Sequence, residues 1–379
     1  MIGASAWAAQ FVTQHPLLLD ELLDDRVLYS SPDGREFEQG LRAAVAAAGG
    51  DVERQMNAVR EQHHSQLFRL LAQDLAGLLT VEVLADHLSQ LADILLQVSL
   101  HACWANLPAR HREQPRFAVI AYGKLGGKEL GYASDLDIIF LYDDEDQTAP
   151  ETYARLAQRM NTWLASATSA GVLYETDLRL RPNGAAGLLV SQVEAFREYQ
   201  FDKAWVWEHQ ALTRARFVAG DAGIGERFER IRSDVLCRPR ELATLGREIL
   251  SMRDKMRDAH PNAGGLFDLK HDRGGIVDVE FVVQFLVLGH AHRHAGLTAN
   301  IGNLALLKLA AGLDLLPDDL ADGAHAAYRE FRRLQHAMRL QGERYARVDA
   351  AAVAGHVRAA LQLCEWVFGN IRTEPDQPE

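Results

Sequence analysis

Short apolar runs near the middle of the chain predict two neighbouring buried strands. The run from Phe117 to Tyr122 is partly β-branched and ends at Gly123, which is typical of a buried strand. A turn rich in glycine and lysine follows it. The second strand is predicted to open with Ser134-Asp135-Leu136-Asp137 and to continue from Ile138 to Tyr142. Alternating side chains along a strand place Asp135 and Asp137 next to each other on one face.

Helical periodicity surrounds this strand–turn–strand unit. Residues 1–110 predict an N-terminal helical region, and residues 236–372 a C-terminal helical domain that opens at Pro239. Residues 111–235 are predicted to form a domain between them, in which the chain from Arg116 to about Gln200 alternates strand and helix, and residues 373–379 predict a disordered, polar tail. The pattern therefore predicts an α+β protein that is mostly helical, with a small sheet flanked by helical regions.

A third strand is predicted from Leu173 to Arg181, where alternation separates two faces. One face carries Thr176, Leu178 and Leu180, and the other carries Glu175, Asp177, Arg179 and Arg181. Two interpretations stay open from this strand alone. The charged face is either a surface ladder of ion pairs or a third carboxylate with cations for a phosphorylated ligand. Beyond the turn at Pro182 to Gly187, the stretch from Val193 to Val218 predicts helix.

Composition and charge narrow the class of partner. The chain has 379 residues, 48% hydrophobic and 24% charged, as is ordinary for a globular protein. A net charge of -12 argues against nucleic acid as the main partner, although it leaves room for a local basic pocket. No apolar run approaches the ~18 residues of a membrane helix, so no membrane partner is expected. Met1 to Gln10 lack the basic head of a signal peptide, and the expected location is the cytoplasm.

The paired aspartates carry the candidate chemistry. Two carboxylates held as close as Asp135 and Asp137 repel each other unless a cation neutralises them, and hard oxygen ligands suit Mg²⁺. The glycines of the preceding turn let backbone N–H groups approach a phosphate. The turn is not a P-loop, because only three residues separate Gly123 from Gly127 and Glu129 follows Lys128. These features predict a metal-dependent site for a nucleoside triphosphate.

Five long segments of the chain carry recognisable motifs: Tyr122 to Phe140, Tyr174 to Gly184, Trp207 to Arg216, Met252 to Arg257 and Phe267 to Phe281. Taken together and in this order, they resemble one family, the glutamine synthetase adenylyltransferase/adenylyl-removing enzymes. The resemblance covers most of the chain. It implies a nucleotidyltransferase-type (polymerase β-like) small sheet in residues 111–235.

Members of this family usually carry two such domains, an N-terminal one that removes AMP and a C-terminal one that adds it. This chain has one copy. Trp207 to Leu212 and Gly275 to Glu280 look like the C-terminal version. The resemblance therefore implies the adenylyltransferase half, either excised or as a natural single-domain form.

The resemblance also implies roles for individual residues in transfer of AMP from ATP to a tyrosine of glutamine synthetase. Asp135, Asp137 and Asp177 would hold two Mg²⁺ ions, and Asp177 would also help to deprotonate the tyrosine. Gly126, Gly127 and Ser134 would cradle the β- and γ-phosphates. The residues expected to neutralise pyrophosphate are Lys124, Arg179, Arg181 and Lys270.

Two alternatives to this activity stay open. The first is phosphorolytic removal of AMP from modified glutamine synthetase on the same fold. The second is a non-catalytic module that docks on glutamine synthetase or on a PII signal protein. A PII protein and glutamine are the regulators that the resemblance implies.

Overall fold

The computed structural model of the chain describes residues 5–16, 18–19, 28–30 and 32–373. Helices dominate, and the strands form one small mixed sheet and one two-stranded pairing. The predicted α+β, mostly helical class is confirmed. Thr373 is the last residue of a helix, and the rest of the tail predicted to be disordered, residues 374–379, lies outside the described residues.

Contacts divide the chain into two compact units, and the predicted domain boundaries at 110 and 235 stay predictions. The first unit contains residues 1–203 and 214–231, and the second contains residues 204–213 and 232–379. The N-terminal helices share a unit with the sheet because the long helix Val81–Ala105 packs against the strand Arg216–Gly220 and the helix Ala149–Ala165. Within the described part of the chain, no helix is both long and apolar enough to cross a membrane.

Side-chain caps set the starts of the N-terminal helices in the first unit. Asp33, Asp51 and Thr80 each accept a hydrogen bond from a backbone N–H in the first turn of the helix that follows. The helices of this unit are α1 (Ala6–Gln14), α2 (Gly34–Ala47), α3 (Val52–Leu75), α4 (Val81–Ala105), the single turn α5 (Gly123–Gly126), α6 (Ala149–Ala165) and α7 (Val193–Asp202).

The sheet of the first unit contains β1 (Phe117–Ala121), β2 (Leu136–Tyr142), β3 (Thr176–Asp177), β4 (Val190–Gln192) and β5 (Arg216–Gly220). Four of its strands pair in the order β3-β2-β1-β5. Strand β4 also pairs with β2, at residues 140–142, further along β2 than the two residues that pair with β3. Strand β1 is antiparallel to both neighbours, whereas β3 and β4 are parallel to β2. All five residues of β1 are buried, as its uninterrupted apolar sequence predicts.

The predicted third strand is much shorter than expected. Only Thr176 and Asp177 pair with β2, whereas the prediction ran from Leu173 to Arg181. After Asp177 the chain turns, and the Arg181 guanidinium donates to the carbonyls of Leu178, Ala185 and Gly187 at 2.7, 3.0 and 3.2 Å. Alternation along the segment was therefore a correct sign of strand only at the two residues that find a partner.

The helix predicted from Val193 to Val218 was also only partly right. The chain forms α7, a second short helix and then β5, which pairs with the edge of β1. An unpaired strand edge leaves backbone donors and acceptors without partners, and β5 satisfies those of β1. The apolar and charged residues of this stretch fit a helical pattern equally well, so periodicity could not reveal the strand.

The second unit is helical apart from one two-stranded pairing. Its core is formed around Ile276–His290, in which every residue from Ile276 to Gly289 except Glu280 is buried. The elements of this unit are α8 (Val206–Leu212), α9 (Ala222–Leu236, from Arg232 on), α10 (Leu242–Asp258), β6 (Phe267–Asp268), α11 (Ile276–His290), α12 (Asn303–Gly312), α13 (Asp318–Leu340), β7 (Arg347–Val348) and α14 (Ala350–Thr373).

Candidate functional site

The pairing of β2 with β3 brings two aspartates from distant parts of the sequence side by side. Asp137 is the second residue of β2, and its register partner on the parallel strand β3 is Asp177. A hydrogen bond of 2.9 Å from the Leu136 amide to the Glu175 carbonyl holds the strands together at this point. Asp135 lies immediately before β2 and is exposed. Three carboxylates therefore converge at one edge of the sheet.

These carboxylates are close enough to share a cation. One oxygen each from Asp135, Asp137 and Asp177 lies within 4.8 Å of the other two, and no other such group of three potential ligands occurs among the described residues. Asp135 and Asp177 line an open groove, together with Asn161 and Arg179. The Thr176 hydroxyl donates to the Asn161 side-chain oxygen at 2.6 Å.

The electrostatics of the three aspartates fit a divalent cation. Burial, followed by repulsion from Asp135 and Asp177, raises the pKa of Asp137 to about 6, although Lys124 and Arg214 oppose the shift. The pKa of Asp177 is lowered, chiefly by a hydrogen bond from the Arg179 guanidinium. Hard oxygen donors with uncompensated negative charge are the ligand set that Mg²⁺ prefers. The residues present therefore suit the predicted metal.

Gly123 is required for the approach of the turn to Asp137. Its φ is +56°, and a Cβ on this residue would lie 2.0 Å from the Asp137 Oδ2. The neighbouring Tyr122 amide donates to the Asp137 carbonyl at 2.8 Å. Any side chain at position 123 would thus displace the central carboxylate of the cluster. The sequence shows the glycine, but the reason for it appears only in three dimensions.

Gly126 and Gly127 lie against the chain that leads into β5. A Cβ on Gly126 would lie 1.9 Å from the Arg214 carbonyl oxygen, and one on Gly127 would lie 2.7 Å from the Arg214 Nε. Arg214 forms an ion pair of 2.6 Å with Glu129, at the end of the same turn. Close packing therefore explains both glycines, and their predicted contact with phosphates stays a prediction.

Arg216 holds the same turn from the other side. It donates to the Leu125 carbonyl at 3.2 and 3.1 Å and forms a two-pronged ion pair with Asp93 at 2.7 and 2.9 Å. Together, Arg214 and Arg216 clamp residues 125–129. Neither arginine was among the predicted site residues. The sequence carried no clear signal for them, because the stretch from Val193 to Val218 fits a helical pattern as well as it fits a strand.

The remaining predicted residues of the first unit have different surroundings. The Ser134 hydroxyl accepts a hydrogen bond of 3.0 Å from the Gly131 amide and closes the turn before β2. Lys124 acts electrostatically on Asp137. Arg179 contacts Asp177 directly, at 2.5 Å from Nη2 to Oδ2, whereas Arg181 is bonded to carbonyls of its own loop. The structure thus places Arg179 in direct contact with the carboxylates, whereas Lys124 and Arg181 act on Asp137 and Asp177 through their charge.

Lys270 belongs to the second unit, where it lies between β6 and α11. Its amide donates to the Asp268 carboxylate at 3.0 Å, and its carbonyl accepts from the Val277 amide at 3.2 Å. These bonds fix the backbone of a tight turn that ends in Gly274 and Gly275. A role for the Lys270 ammonium group at a nucleotide stays a prediction.

The fold and this site define a first, general class: a mostly helical α+β protein with a carboxylate cluster suited to a divalent cation. Sequence comparison makes the class specific. The profile of the Glutamate-ammonia ligase adenylyltransferase family matches residues 1–231, and that of GlnD PII-uridylyltransferase matches residues 249–348. The chain belongs to the glutamate-ammonia ligase adenylyltransferase family, which confirms the predicted resemblance.

Curated relatives agree with this family. The chain is 59% identical over 372 residues to the bifunctional glutamine synthetase adenylyltransferase/adenylyl-removing enzyme of Aromatoleum aromaticum. This alignment covers 98% of this chain and 39% of that protein. Enzymes of the same name from Chromobacterium violaceum and Ralstonia nicotianae are each 55% identical to this chain. The first alignment covers 97% of this chain and 41% of the Chromobacterium protein. The second covers 100% of this chain and 40% of the Ralstonia protein. The chain thus spans about two-fifths of the length of the curated relatives that it matches.

Proposed function

We propose that this chain transfers AMP from ATP to a tyrosine hydroxyl of glutamine synthetase and releases pyrophosphate. The observation that carries the proposal is the convergence of Asp135, Asp137 and Asp177 at the edge of the sheet, in a chain of this family. The mixed sheet that holds them is proposed to be of the nucleotidyltransferase type. In the proposed reaction the tyrosine oxygen bonds to the α-phosphorus, and the bond from that phosphorus to the bridging oxygen breaks. Pyrophosphate leaves with the electron pair.

The three aspartates are proposed to hold two Mg²⁺ ions. Bound there, Mg²⁺ would supply charge stabilisation for the displacement at the α-phosphorus. Asp177 is proposed to accept the hydroxyl proton of the tyrosine, whose ordinary pKa is about 10. The lowered pKa of Asp177 makes it a weak base while Arg179 is attached to it.

Cations and backbone amides near the cluster are proposed to bind the departing pyrophosphate. Lys124 and Arg179 are supported by their nearness to Asp137 and Asp177. Arg181 would have to leave three backbone carbonyls to take part. Lys270 is kept as a further candidate for binding pyrophosphate. The turn that contains Gly126, Gly127 and Ser134 is proposed to cradle the β- and γ-phosphates.

Removal of AMP by phosphorolysis is the second candidate. The relatives are named as bifunctional enzymes that add and remove the adenylyl group, and the chain aligns with about two-fifths of them. A non-catalytic module that docks on glutamine synthetase or a PII protein is the third, although the complete carboxylate cluster favours an active site. A PII protein and glutamine are proposed as regulators, and the cytoplasm as the location.

A transfer assay in both directions tests the proposal. The full chain is mixed with unmodified glutamine synthetase, Mg²⁺ and ATP labelled in the α-phosphate, and the product is mapped by mass spectrometry. We expect AMP on a tyrosine with the wild-type chain and none with Asp137→Asn. Glu145→Gln is the matched control, because this exposed acid follows the opposite end of the same strand. It should retain the wild-type rate.

The other outcomes are equally informative. Loss of the adenylyl group from modified glutamine synthetase as ADP on addition of phosphate, without labelling by ATP, would support the adenylyl-removing activity instead. Labelling that survives Asp137→Asn would overturn the role of the carboxylates. If neither direction proceeds and Mg²⁺–ATP fails to bind in calorimetry, the docking module becomes the better explanation.

A further inference from the structure

Among the described residues, Arg179 alone donates hydrogen bonds to the Asp177 carboxylate. Its Oδ1 accepts from the Arg179 backbone amide at 2.8 Å and from Nε at 3.0 Å. Its Oδ2 accepts from Nε at 2.9 Å and from Nη2 at 2.5 Å. Both oxygens are thus covered by one guanidinium, which lies on the solvent side: the Arg179 side chain is 79% exposed and that of Asp177 is 17% exposed.

The same carboxylate belongs to the cluster that suits a divalent cation. An ionised carboxylate has about four lone-pair sites, and the arginine contacts use most of them. A divalent cation bound to Asp177 and a guanidinium bonded to the same oxygens would lie within a few ångströms of each other. Like charges at that distance repel each other even in water, and the same carboxylate oxygens serve one of the two at a time. Arg179 and a metal ion are therefore competitors for Asp177.

Arg179 is able to leave, and its neighbour is not. Apart from its ion pair with Asp177, the described residues give the Arg179 side chain no hydrogen bond, and most of its surface is in water. The Arg181 guanidinium, two residues on, is fixed by three carbonyls. If the Arg179 side chain moves away, its backbone amide still donates to Asp177 and keeps that carboxylate oriented.

We propose that Arg179 is a displaceable counter-ion that positions Asp177 before the metal binds and is transferred to the triphosphate when it does. The inference rests on the proposed nucleotide site. It makes metal and nucleotide binding mutually dependent: the metal must displace Arg179, and the polyphosphate provides the next anion for the released guanidinium. By linkage, each ligand tightens the binding of the other by the same factor.

The test is a titration of the full chain with Mn²⁺ in the absence of nucleotide, followed by electron paramagnetic resonance. Arg179→Gln removes the competitor and should tighten Mn²⁺ binding about threefold to tenfold, the range expected for an exposed but two-pronged ion pair. Arg179→Lys keeps the charge but loses the fork, so it should tighten binding less. Arg155→Gln changes the net charge equally at an exposed position on α6 and should change nothing.

A second titration measures the dependence on nucleotide. With a non-hydrolysable ATP analogue present, the wild-type chain should gain more Mn²⁺ affinity than Arg179→Gln does, because only the wild type transfers its arginine to the phosphates. The analogue itself should bind Arg179→Gln several-fold more weakly. A residue that merely stabilised the loop would weaken both ligands together and would not tighten the metal.

Mutants distinguish an error in the counter-ion role of Arg179 from an error in the metal site. If Asp137→Asn and Asp177→Asn weaken Mn²⁺ binding but Arg179→Gln binds Mn²⁺ no more tightly than the wild type, the counter-ion role is wrong and the metal site stands. If Mn²⁺ binding is insensitive to both aspartates, the metal site itself is wrong and this inference falls with it.

Discussion

The two ends of strand β2 carry acidic residues in opposite electrostatic situations. At the start, Asp137 lies beside Asp135 and Asp177, and its pKa is raised to about 6. Two residues past the other end, Asp144 is fully buried, and its pKa is lowered to about 2. Both segments are rich in aspartate in the sequence. The difference lies in what the rest of the fold places around each carboxylate.

Asp144 is surrounded by donors. Burial alone would raise its pKa, but hydrogen bonds from His111 at 2.8 Å and Tyr153 at 2.7 Å lower it, with help from the Asp146 amide and the Arg112 guanidinium. The charge is compensated within the protein, so this carboxylate ties the end of the sheet to α6 and to the loop before β1. It is structural.

Asp137 shows the reverse arrangement. Its nearest charged neighbours include two further carboxylates, and the cations that act on it do not compensate their effect. A protein keeps such repulsion only where something outside the chain relieves it, or where it is part of a mechanism. An acidic cluster is therefore a candidate site when its charge is left unbalanced, and a structural tie when it is not.

The largest expected effect is on the rate of AMP transfer, and it distinguishes the two ends of β2. Asp137→Asn should reduce AMP transfer about a thousandfold or more, since it removes a carboxylate from the charge-stabilising centre. It should leave the fold intact and the melting temperature equal or higher, because a source of repulsion disappears. Rate assays and thermal unfolding of the same preparation check both statements. A variant that keeps the wild-type rate would contradict the comparison.

The second largest expected effect is on the free energy of unfolding, and it again distinguishes the two ends of β2. Asp144→Asn should lower the free energy of unfolding by about 3 kcal/mol, because it leaves Arg112 and His111 without their buried partner. The rate per folded molecule should change little. Denaturant unfolding measures the loss, and Glu145→Gln, exposed and adjacent, should stay within about 0.5 kcal/mol of the wild type.

Acid should remove the contribution of Asp144. Its folded pKa lies below its ordinary value of 3.8, so the stabilisation is complete above pH 4 and is lost as the pH falls towards about 2. The stability difference between the wild type and Asp144→Asn should therefore narrow over that window. Unfolding curves of both proteins between pH 5 and pH 2 provide the measurement. A constant difference would mean that the side chain acts through its shape alone.

The smallest expected effect concerns the turn beside Asp137. Gly127→Ala places a methyl group 2.7 Å from the Arg214 Nε and should strain the ion pair with Glu129. We expect a loss of stability below about 1 kcal/mol and a rise of a few fold in the KM for ATP, with kcat nearly unchanged. Gly131→Ala, which meets only the Ser134 hydroxyl at 3.6 Å, is the matched control.

Much of the site could be predicted from the sequence because its parts are local. Asp135 and Asp137 are two residues apart, and the apolar runs on either side specify buried strands. The predicted convergence of Asp177 with them depended on the family resemblance, since the third strand alone was open to two interpretations. Its register with Asp137 is a contact across forty residues, which no local pattern encodes.

The residues that support the site could not be predicted in the same way. Arg214 and Arg216 were expected on a helix, yet they lead into β5 and clamp the turn at residues 125–129. Tertiary pairing decided this, because the unpaired edge of β1 outweighed a weak helical pattern. The exposure of Arg179 and the fixed position of Arg181 could not be predicted either, since alternation placed both residues on one face of a strand.

The sequence by itself determined the α+β class, the paired aspartates and the family, because periodicity, spacing and motif order are properties of neighbouring residues. Only the tertiary structure decided which acidic cluster is left unbalanced, which glycines are closed in by packing, and which arginine is able to move. Those outcomes depend on charges and atoms brought together from distant segments. The role of each carboxylate therefore follows from the groups that surround it.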